Sequence, residues 1–136
     1  MAEEYPKVLI ACPTWEQKGY ILERYLERIN ELTYPNFELL MVDNSKTDDY
    51  AYIIKEMGVK VRRIKWIKSS RQRLAAVRNY MRNYFLTGDY DYFFSLEQDI
   101  IPPKDVIEQL LAHKKKVVCG WYNILFQTKE IIIITC

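Results

Sequence analysis

The sequence predicts an α/β fold, a three-layer α-β-α arrangement with a mainly parallel sheet and antiparallel C-terminal strands. Short apolar runs alternate with amphipathic stretches of helical periodicity, and this order is typical of βαβ units with right-handed crossovers. The first runs are continuously apolar, as expected for parallel strands that are covered on both faces. A short connection joins the last two runs, which favours an antiparallel pair.

Six strands are predicted from short apolar runs that are bounded by turn residues. They span residues 7–12, 37–42, 59–66, 90–96, 117–122 and 130–135. The third run carries four basic residues, which suits an edge strand because charge opposes edge-to-edge pairing. The last run contains four consecutive isoleucines. We expect these to be buried within this sheet, and we also expect a homodimer.

Four helices are predicted between the strands from apolar residues at helical spacing. A hydroxyl side chain caps the first turn of three of them, and a proline takes the first helical position of the fourth. These signals are Thr14 with Gln17, Ser45 with Asp48, the pair Ser69–Ser70, and Pro103. Gly58 and Gly88 end the second and third helices. The buried face of the third helix is predicted to contain Leu74, Val77, Met81, Tyr84 and Phe85.

The composition narrows the functional classes. Hydrophobic residues make up 49% of the 136 residues, which indicates a packed core rather than disorder. The formal net charge of +2 is too small to indicate a nucleic-acid partner. Three widely spaced cysteines lack the spacing of a zinc site and predict reduced thiols in a cytoplasmic protein. The acidic N-terminus lacks the apolar region of a signal peptide, and no apolar run is long enough for a transmembrane segment.

Polar residues bunch where the first, second and fourth predicted strands end. They are Thr14, Trp15, Asp43, Asn44, Glu97 and Asp99. If the first strand lies between the other two, these residues line one crevice at the carboxyl edge of the sheet. Residues i and i+2 of an extended segment point the same way, so Glu97 and Asp99 are predicted to face one ligand. Such hard oxygen donors suit Mg²⁺ or Mn²⁺ bridging a diphosphate. The alternative is that both are solvated residues at a strand end.

Two arginines, Arg71 and Arg73, fall in the first turn of the third predicted helix. Positive charge there opposes the helix macrodipole. The arrangement becomes favourable when an anion such as a phosphate meets the backbone N–H groups and the guanidinium groups together. The alternative is a solvated basic surface, and this is the better interpretation for Arg78 and Arg82 further along the helix.

In their order, these segments resemble the nucleotide-sugar-binding half of GT-A glycosyltransferases, particularly the family 2 type. Residues 8–14 look like the first strand and the nucleoside-contacting loop of that family. Residues 40–48 are similar to its strand that ends in Asp, Asn and Ser-x-Asp. Residues 71–79 look like its alanine-rich helix, and Glu97-Gln98-Asp99 stands where the family has its DxD motif.

The resemblance implies a GT-A, Rossmann-like sheet and a glycosyltransferase that binds a nucleoside-diphosphate sugar through Mn²⁺ or Mg²⁺. Asp43 and Thr14 are expected to hold the nucleoside, with Trp15 and Asn44 beside them. Glu97, which replaces the first Asp of the motif, is expected to contact the ribose or the metal, and Asp99 the metal. The implied contacts to the phosphates are Arg71 and Arg73.

The acceptor implied by the resemblance is an unidentified glycan, lipid or protein. The chain is expected to form one domain, residues 1–136, that lacks most of the C-terminal acceptor region of the family. A catalytic base within hydrogen-bond reach of an acceptor hydroxyl is therefore not identified. An alternative function follows, in which a catalytically minimal or inactive GT-A-like module acts as a nucleotide binder or an assembly partner.

Overall fold

The structure is a computed structural model that describes residues 4–123 and 130–132. Its central strands are β1 (Val8–Thr14), β2 (Phe37–Asp43), β3 (Lys60–Arg63) and β4 (Tyr92–Ser95). They form a four-stranded sheet in the order β3-β2-β1-β4, and every pairing within it is parallel. The predicted α/β class with a mainly parallel sheet is therefore confirmed.

Helices cover both faces of this sheet. A 3₁₀ helix (Glu16–Ile21) leads into α1 (Leu22–Asn30), and the later helices are α2 (Asp49–Glu56), α3 (Ser70–Thr87) and α4 (Val106–Ala112). One buried cluster joins the sheet to α1, α2 and α4, and a second joins it to α3. The predicted three-layer arrangement is confirmed.

Strand β1 lies at the centre of both clusters, and all seven of its residues are buried. Successive side chains of a strand point to opposite faces. Val8 and Ile10 accordingly pack on the side of α1, whereas Leu9 and Ala11 pack on the side of α3. This double burial explains why the run is continuously apolar.

Two of the predicted hydroxyl caps are wrong. The 3₁₀ helix and α2 both begin without a side-chain cap hydrogen bond. The hydroxyl of Thr14 instead donates to Gln98 in the turn after β4, and the hydroxyl of Ser45 donates to Asp43. The prediction for α3 is confirmed, since Ser69 Oγ accepts a hydrogen bond from the backbone N–H of Gln72 at 3.4 Å.

Two smaller predictions about the helices are also wrong. Helix α4 begins at Val106, three residues after Pro103, because the backbone N–H of Val106 closes a turn onto the carbonyl of Pro103 at 3.2 Å. Leu74 is 42% exposed although it was predicted to be buried. The core side of α3 is centred on Val77 and Met81, and Leu74 lies at its margin.

The C-terminal strands β5 (Trp121–Asn123) and β6 (Glu130–Ile132) pair with each other in antiparallel orientation. They form a two-stranded sheet of their own rather than joining the four-stranded sheet as predicted. The predicted strand over 117–122 begins only at Trp121. The remaining predictions for residues 133–136, including two of the four isoleucines and Cys136, lie outside the described residues. Within the described part of the chain, no helix has the length and apolar character needed to span a bilayer.

Candidate functional site

The sheet order satisfies the condition on which the predicted site depends. Strand β1 lies between β2 and β4, so their carboxyl ends meet at one edge of the sheet. Thr14 is in register with Asp43, and the backbone N–H of Asn44 donates to the carbonyl of Thr14 at 3.1 Å. Beyond β4, the backbone N–H of Leu96 donates to the carbonyl of Ala11 at 3.1 Å. The three polar strand ends are therefore neighbours.

Gln98, in the turn after β4, is 1% exposed, and its side-chain amide bonds to the end of β1 and to two helices. Its Nε2 donates to the backbone carbonyl of Lys18 at 2.7 Å and to the hydroxyl of Tyr50 at 3.0 Å. Its Oε1 accepts from the hydroxyl of Thr14. Burial raises the pKa of Tyr50, so its hydroxyl stays protonated. One amide thus joins β1, the 3₁₀ helix and α2 to the turn after β4.

Asp43 is fully buried, with 0% of its side chain exposed. Its Oδ1 accepts from the backbone N–H of Ser45 at 3.0 Å and from the Ser45 hydroxyl. Its Oδ2 accepts from Arg63 Nε at 3.1 Å. Arg63 also donates to the carbonyl of Ser45 at 2.9 Å. A buried carboxylate requires such partners, and here the neighbouring strand β3 supplies the cation.

Glu97 and Asp99 lie in a turn and not in an extended strand, so the predicted reason for a shared direction is wrong. Strand β4 ends at Ser95, and the backbone N–H of Ile100 closes the turn onto the carbonyl of Glu97 at 3.1 Å. Asp99 forms an ion pair with Lys18, while Glu97 Oε1 lies 3.7 Å from a guanidinium nitrogen of Arg78.

The two carboxylates have different electrostatic environments. Burial raises the pKa of Glu97; Arg78 partly opposes this shift, and Asp99 adds to it. For Lys18, burial alone would lower the pKa, but the hydrogen bond and the charge of Asp99 outweigh it and raise the pKa. Lys18 therefore stays a cation beside Asp99, whereas Glu97 carries a desolvation cost when it is charged.

The site offers part of the donor set that a divalent cation needs. Among the described residues, no three His, Cys, Asp or Glu side chains are grouped so that they could hold a metal ion by themselves. Mg²⁺ usually binds through one or two carboxylates together with waters and substrate phosphates, and Mn²⁺ accepts the same oxygen donors. Glu97 and Asp99 supply carboxylates of the right chemistry, although in this structure each is paired with a cation, Arg78 or Lys18.

The two arginines predicted to bind phosphate have different surroundings. Arg73 Nη1 donates to the carbonyl of Lys68 at 3.0 Å and to that of Ile67. Its guanidinium carbon also lies 5.3 Å from the ring centroid of Trp66. Arg73 therefore anchors the loop that precedes α3. Arg71 is exposed in the first turn of α3, and within the described part of the chain its side chain has no hydrogen bond or ion pair.

Sequence reasoning missed four residues that the structure brings to this site. In the sequence, Gln98 is only the residue between two carboxylates, and nothing singles out Lys18. The sequence pattern predicts an edge-strand role for Arg63 and a solvated position for Arg78. Only Arg63 had a usable signal, because a basic residue at the end of an edge strand can reach the buried acid of the adjacent strand. The remaining predicted residue, Trp15, is partly buried between β1 and the 3₁₀ helix.

Comparisons with known proteins agree with this architecture. Residues 10–132 match the family model described as glycosyl transferase family 2. The chain is 27% identical over 120 residues to Glycosyltransferase GlyA of Streptococcus pneumoniae serotype 4, covering 85% of this chain and 17% of that protein. The chain thus spans about one sixth of the length of this curated relative.

Two solved structures share the fold. The mannosyltransferase PcManGT from Pyrobaculum calidifontis, in complex with GDP-Man and Mn²⁺, has a TM-score of 0.59 at 17% identity, covering 80% of this chain and 32% of its own. S. aureus TarS has a TM-score of 0.60 at 15% identity, covering 82% of this chain and 20% of its own. These likenesses place the sheet and its helices in the GT-A fold. Together with the match of the family model over residues 10–132, they lead to one conclusion: the chain belongs to glycosyl transferase family 2.

Proposed function

We propose that this chain binds a nucleoside-diphosphate sugar at the carboxyl edge of its sheet and acts in transfer of the sugar to an acceptor. The observation that carries the proposal is the meeting of three polar strand ends at one edge of the sheet. Open α/β sheets bind their ligands at this edge, where the strand order reverses. PcManGT, which shares the fold, was solved with GDP-Man and Mn²⁺, and a TarS structure was solved with UDP-GlcNAc.

The proposed roles divide along the sheet edge. Asp43 and Thr14, with Asn44 and Trp15 beside them, form the nucleoside side. Asp43 is rigidly held by Arg63 and Ser45, so its part is to fix the shape and charge of that side. An incoming donor would contact the exposed groups around it.

The phosphate side is formed by the turn after β4 and by the start of α3. Asp99 and Glu97 would hold Mn²⁺ or Mg²⁺, which when bound stabilises negative charge on a leaving diphosphate. Arg71 is exposed at the N-terminus of an 18-residue helix, where backbone N–H groups also favour a phosphate. Arg73 supports this position by holding the preceding loop.

A thermal-shift experiment tests the proposal. Mn²⁺ with a matching nucleoside-diphosphate sugar is expected to raise the melting temperature, because a ligand at about 100 times its Kd stabilises the native state by about 2.7 kcal/mol. Asp99→Ala is expected to abolish this shift. Asp89→Ala, which removes another exposed carboxylate, is the matched control and should keep it.

Absence of a shift with every common donor would contradict the donor site, and a full shift in Asp99→Ala would contradict the metal assignment. Release of nucleoside diphosphate, measured with candidate acceptors, separates a transferase from an inactive nucleotide-binding module. The acceptor, the extent of the domain over residues 1–136, the cytoplasmic location and the homodimer stay predictions.

A further inference from the structure

One segment of the chain is entirely free of acidic residues. Residues 59–88 contain nine of the 20 Lys and Arg residues and none of the 18 Asp and Glu residues. The chain as a whole is almost balanced, with a formal net charge of +2. The segment comprises β3, α3 and the loop between them, so positive charge is concentrated in one contiguous part of the fold.

Strand β3 and helix α3 present this charge on the same face of the sheet. Leu40 and Val42 of β2 pack in the buried cluster that contains Val77 and Met81 of α3. In the β2–β3 pairing, Leu40 is in register with Lys60, and Val42 is in register with Arg62. Residues in register on adjacent strands point to the same face. Lys60 and Arg62 therefore extend the surface of α3 at the edge of the sheet.

Some of these cations already have partners. Arg63 and Arg78 pair with Asp43 and Glu97, Lys60 lies 3.9 Å from Glu38, and Arg73 binds the loop backbone. The other five are exposed, and among the described residues none of them forms an ion pair. They are Arg62, Lys65, Lys68, Arg71 and Arg82. We call the surface that carries these five unpaired cations the α3 face.

Apolar side chains lie among these cations. Trp66 is 37% exposed, Leu74 is 42% exposed and Leu86 is 58% exposed. Along α3, exposed residues recur at intervals of three or four, which places them on one side of the helix. They are Arg71, Leu74, Arg78, Arg82 and Leu86. The solvent side of α3 thus combines arginine with leucine and carries no acid.

We propose that the α3 face docks on an anionic lipid bilayer, with its cations on the headgroup phosphates and its exposed apolar side chains at the acyl boundary. Lysine and arginine near an anionic surface contribute attraction that falls off within a Debye length. Leucine and tryptophan add affinity only where they can enter an apolar layer. A soluble polyanion would use the cations and gain nothing from Leu74 and Leu86, so the mixture favours the bilayer. The proposal does not rest on the donor assignment, although Arg71 belongs to both surfaces.

Vesicle sedimentation tests this surface directly. At low ionic strength the chain is expected to sediment with phosphatidylcholine vesicles that contain phosphatidylglycerol, and not with pure phosphatidylcholine vesicles. Binding should weaken as salt is raised. A fourfold variant removes free cations of the α3 face outside the proposed donor site. Its changes are Arg62→Gln, Lys65→Gln, Lys68→Gln and Arg82→Gln. Its partition coefficient is expected to fall by about tenfold or more, since each removed cation loses its attraction to the anionic surface.

A matched variant removes the same charge from exposed lysines elsewhere in the described structure. Its changes are Lys55→Gln, Lys104→Gln, Lys115→Gln and Lys116→Gln. It is expected to keep most of the binding. Melting curves must show that both variants are folded, and the donor-induced thermal shift of the first variant should persist. Loss of vesicle binding is thereby distinguished from loss of the donor site.

A second variant, Leu74→Asn with Leu86→Asn, separates a bilayer from a soluble polyanion. It is expected to lower vesicle binding by roughly fivefold or more, because each leucine that enters the acyl boundary removes apolar area from water. The proposal is overturned if the wild-type chain does not bind anionic vesicles, or if the fourfold variant binds as well as the wild type. Unchanged vesicle binding by the leucine variant, with equal binding of soluble polyphosphate, would also overturn it.

Discussion

At the scale of single residues, the least conspicuous member of Glu97-Gln98-Asp99 organises the site. The two carboxylates attract attention in the sequence because their chemistry suits a metal. Gln98, between them, is 1% exposed and connects three other elements through its amide. A buried amide is costly unless its donors and acceptors are satisfied. The cost is avoided only where the amide of Gln98 reaches its partners, so the amide fixes the position of the turn after β4.

Replacement of Gln98 tests this role. Gln98→Leu would leave the Thr14 hydroxyl, the Tyr50 hydroxyl and the Lys18 carbonyl without their shared partner. The free energy of unfolding, measured with urea, is expected to fall by about 2–4 kcal/mol, since each orphaned buried polar group costs about 1–3 kcal/mol. Gln72→Leu, at an exposed position of α3, should change it by no more than about 0.5 kcal/mol. Equal effects of the two changes would contradict the inferred role.

The cations of the site pair with carboxylates that are far away in the sequence. Lys18 pairs with Asp99 across 81 residues of sequence, and Arg63 reaches Asp43 across 20 residues. Charge pairing in the sequence is readable only at the short spacings of a helix or a strand. Long-range partners depend on the order of the strands in the sheet, and local periodicity does not predict that order.

At the scale of secondary-structure elements, the predicted order of strands and helices agrees with the structure through α4, and the errors fall at helix starts. Thr14 and Ser45 occupy capping positions in the sequence, but their hydroxyls take part in the strand-end hydrogen bonds. Tertiary partners compete with local caps for the same oxygen. Ser69 has no such competitor among the described residues and caps α3 as predicted.

The end of α2 gives a prediction at this scale. Gly58 follows the C-terminus of α2 with a φ of 80°, and a Cβ at this position would meet nothing within 4 Å. Gly58→Ala therefore changes only the backbone cost of the left-handed conformation, about 1–2 kcal/mol. A loss of that size is expected in the unfolding free energy from urea titration.

Gly120→Ala is the matched control for this change. A Cβ at Gly120 also meets nothing within 4 Å, and its φ lies outside the left-handed range. The control should therefore be neutral or slightly stabilising, because alanine restricts the unfolded chain. If Gly58→Ala is as well tolerated as the control, the left-handed helix end is not required.

At the scale of the whole molecule, the proposed donor site and the basic surface lie on different parts of the sheet. Its carboxyl edge carries the proposed donor site, and the α3 side carries the basic surface. Arg78 lies at their border, since it belongs to α3 and pairs with Glu97. Docking through the α3 face would therefore hold the donor site close to the surface that the chain binds.

The chain is predicted to form a homodimer. The isoleucine run at 131–134 is typical of a strand that needs burial on both faces; we expect burial within the chain's own sheet, and a dimer as well. Multi-angle light scattering of the purified chain is expected to give the mass of a dimer, about twice 16.4 kDa. Ile131→Lys should shift it to the monomer, and a monomeric wild-type mass would reject the prediction.

The sequence by itself determined the alternation of strands and helices, the continuous burial of β1 and the polar character of each strand end. These follow from local periodicity and from the chemistry of neighbouring residues. Only the tertiary structure decided which side chains meet. In the folded chain the buried amide of Gln98 bonds to three other elements. Arg63 pairs with Asp43, and Lys18 pairs with Asp99. Basic residues of β3 lie on the same face of the sheet as α3. The physical reason is that such contacts join residues far apart in the chain, so they form only when the strand order and the helix packing bring them together.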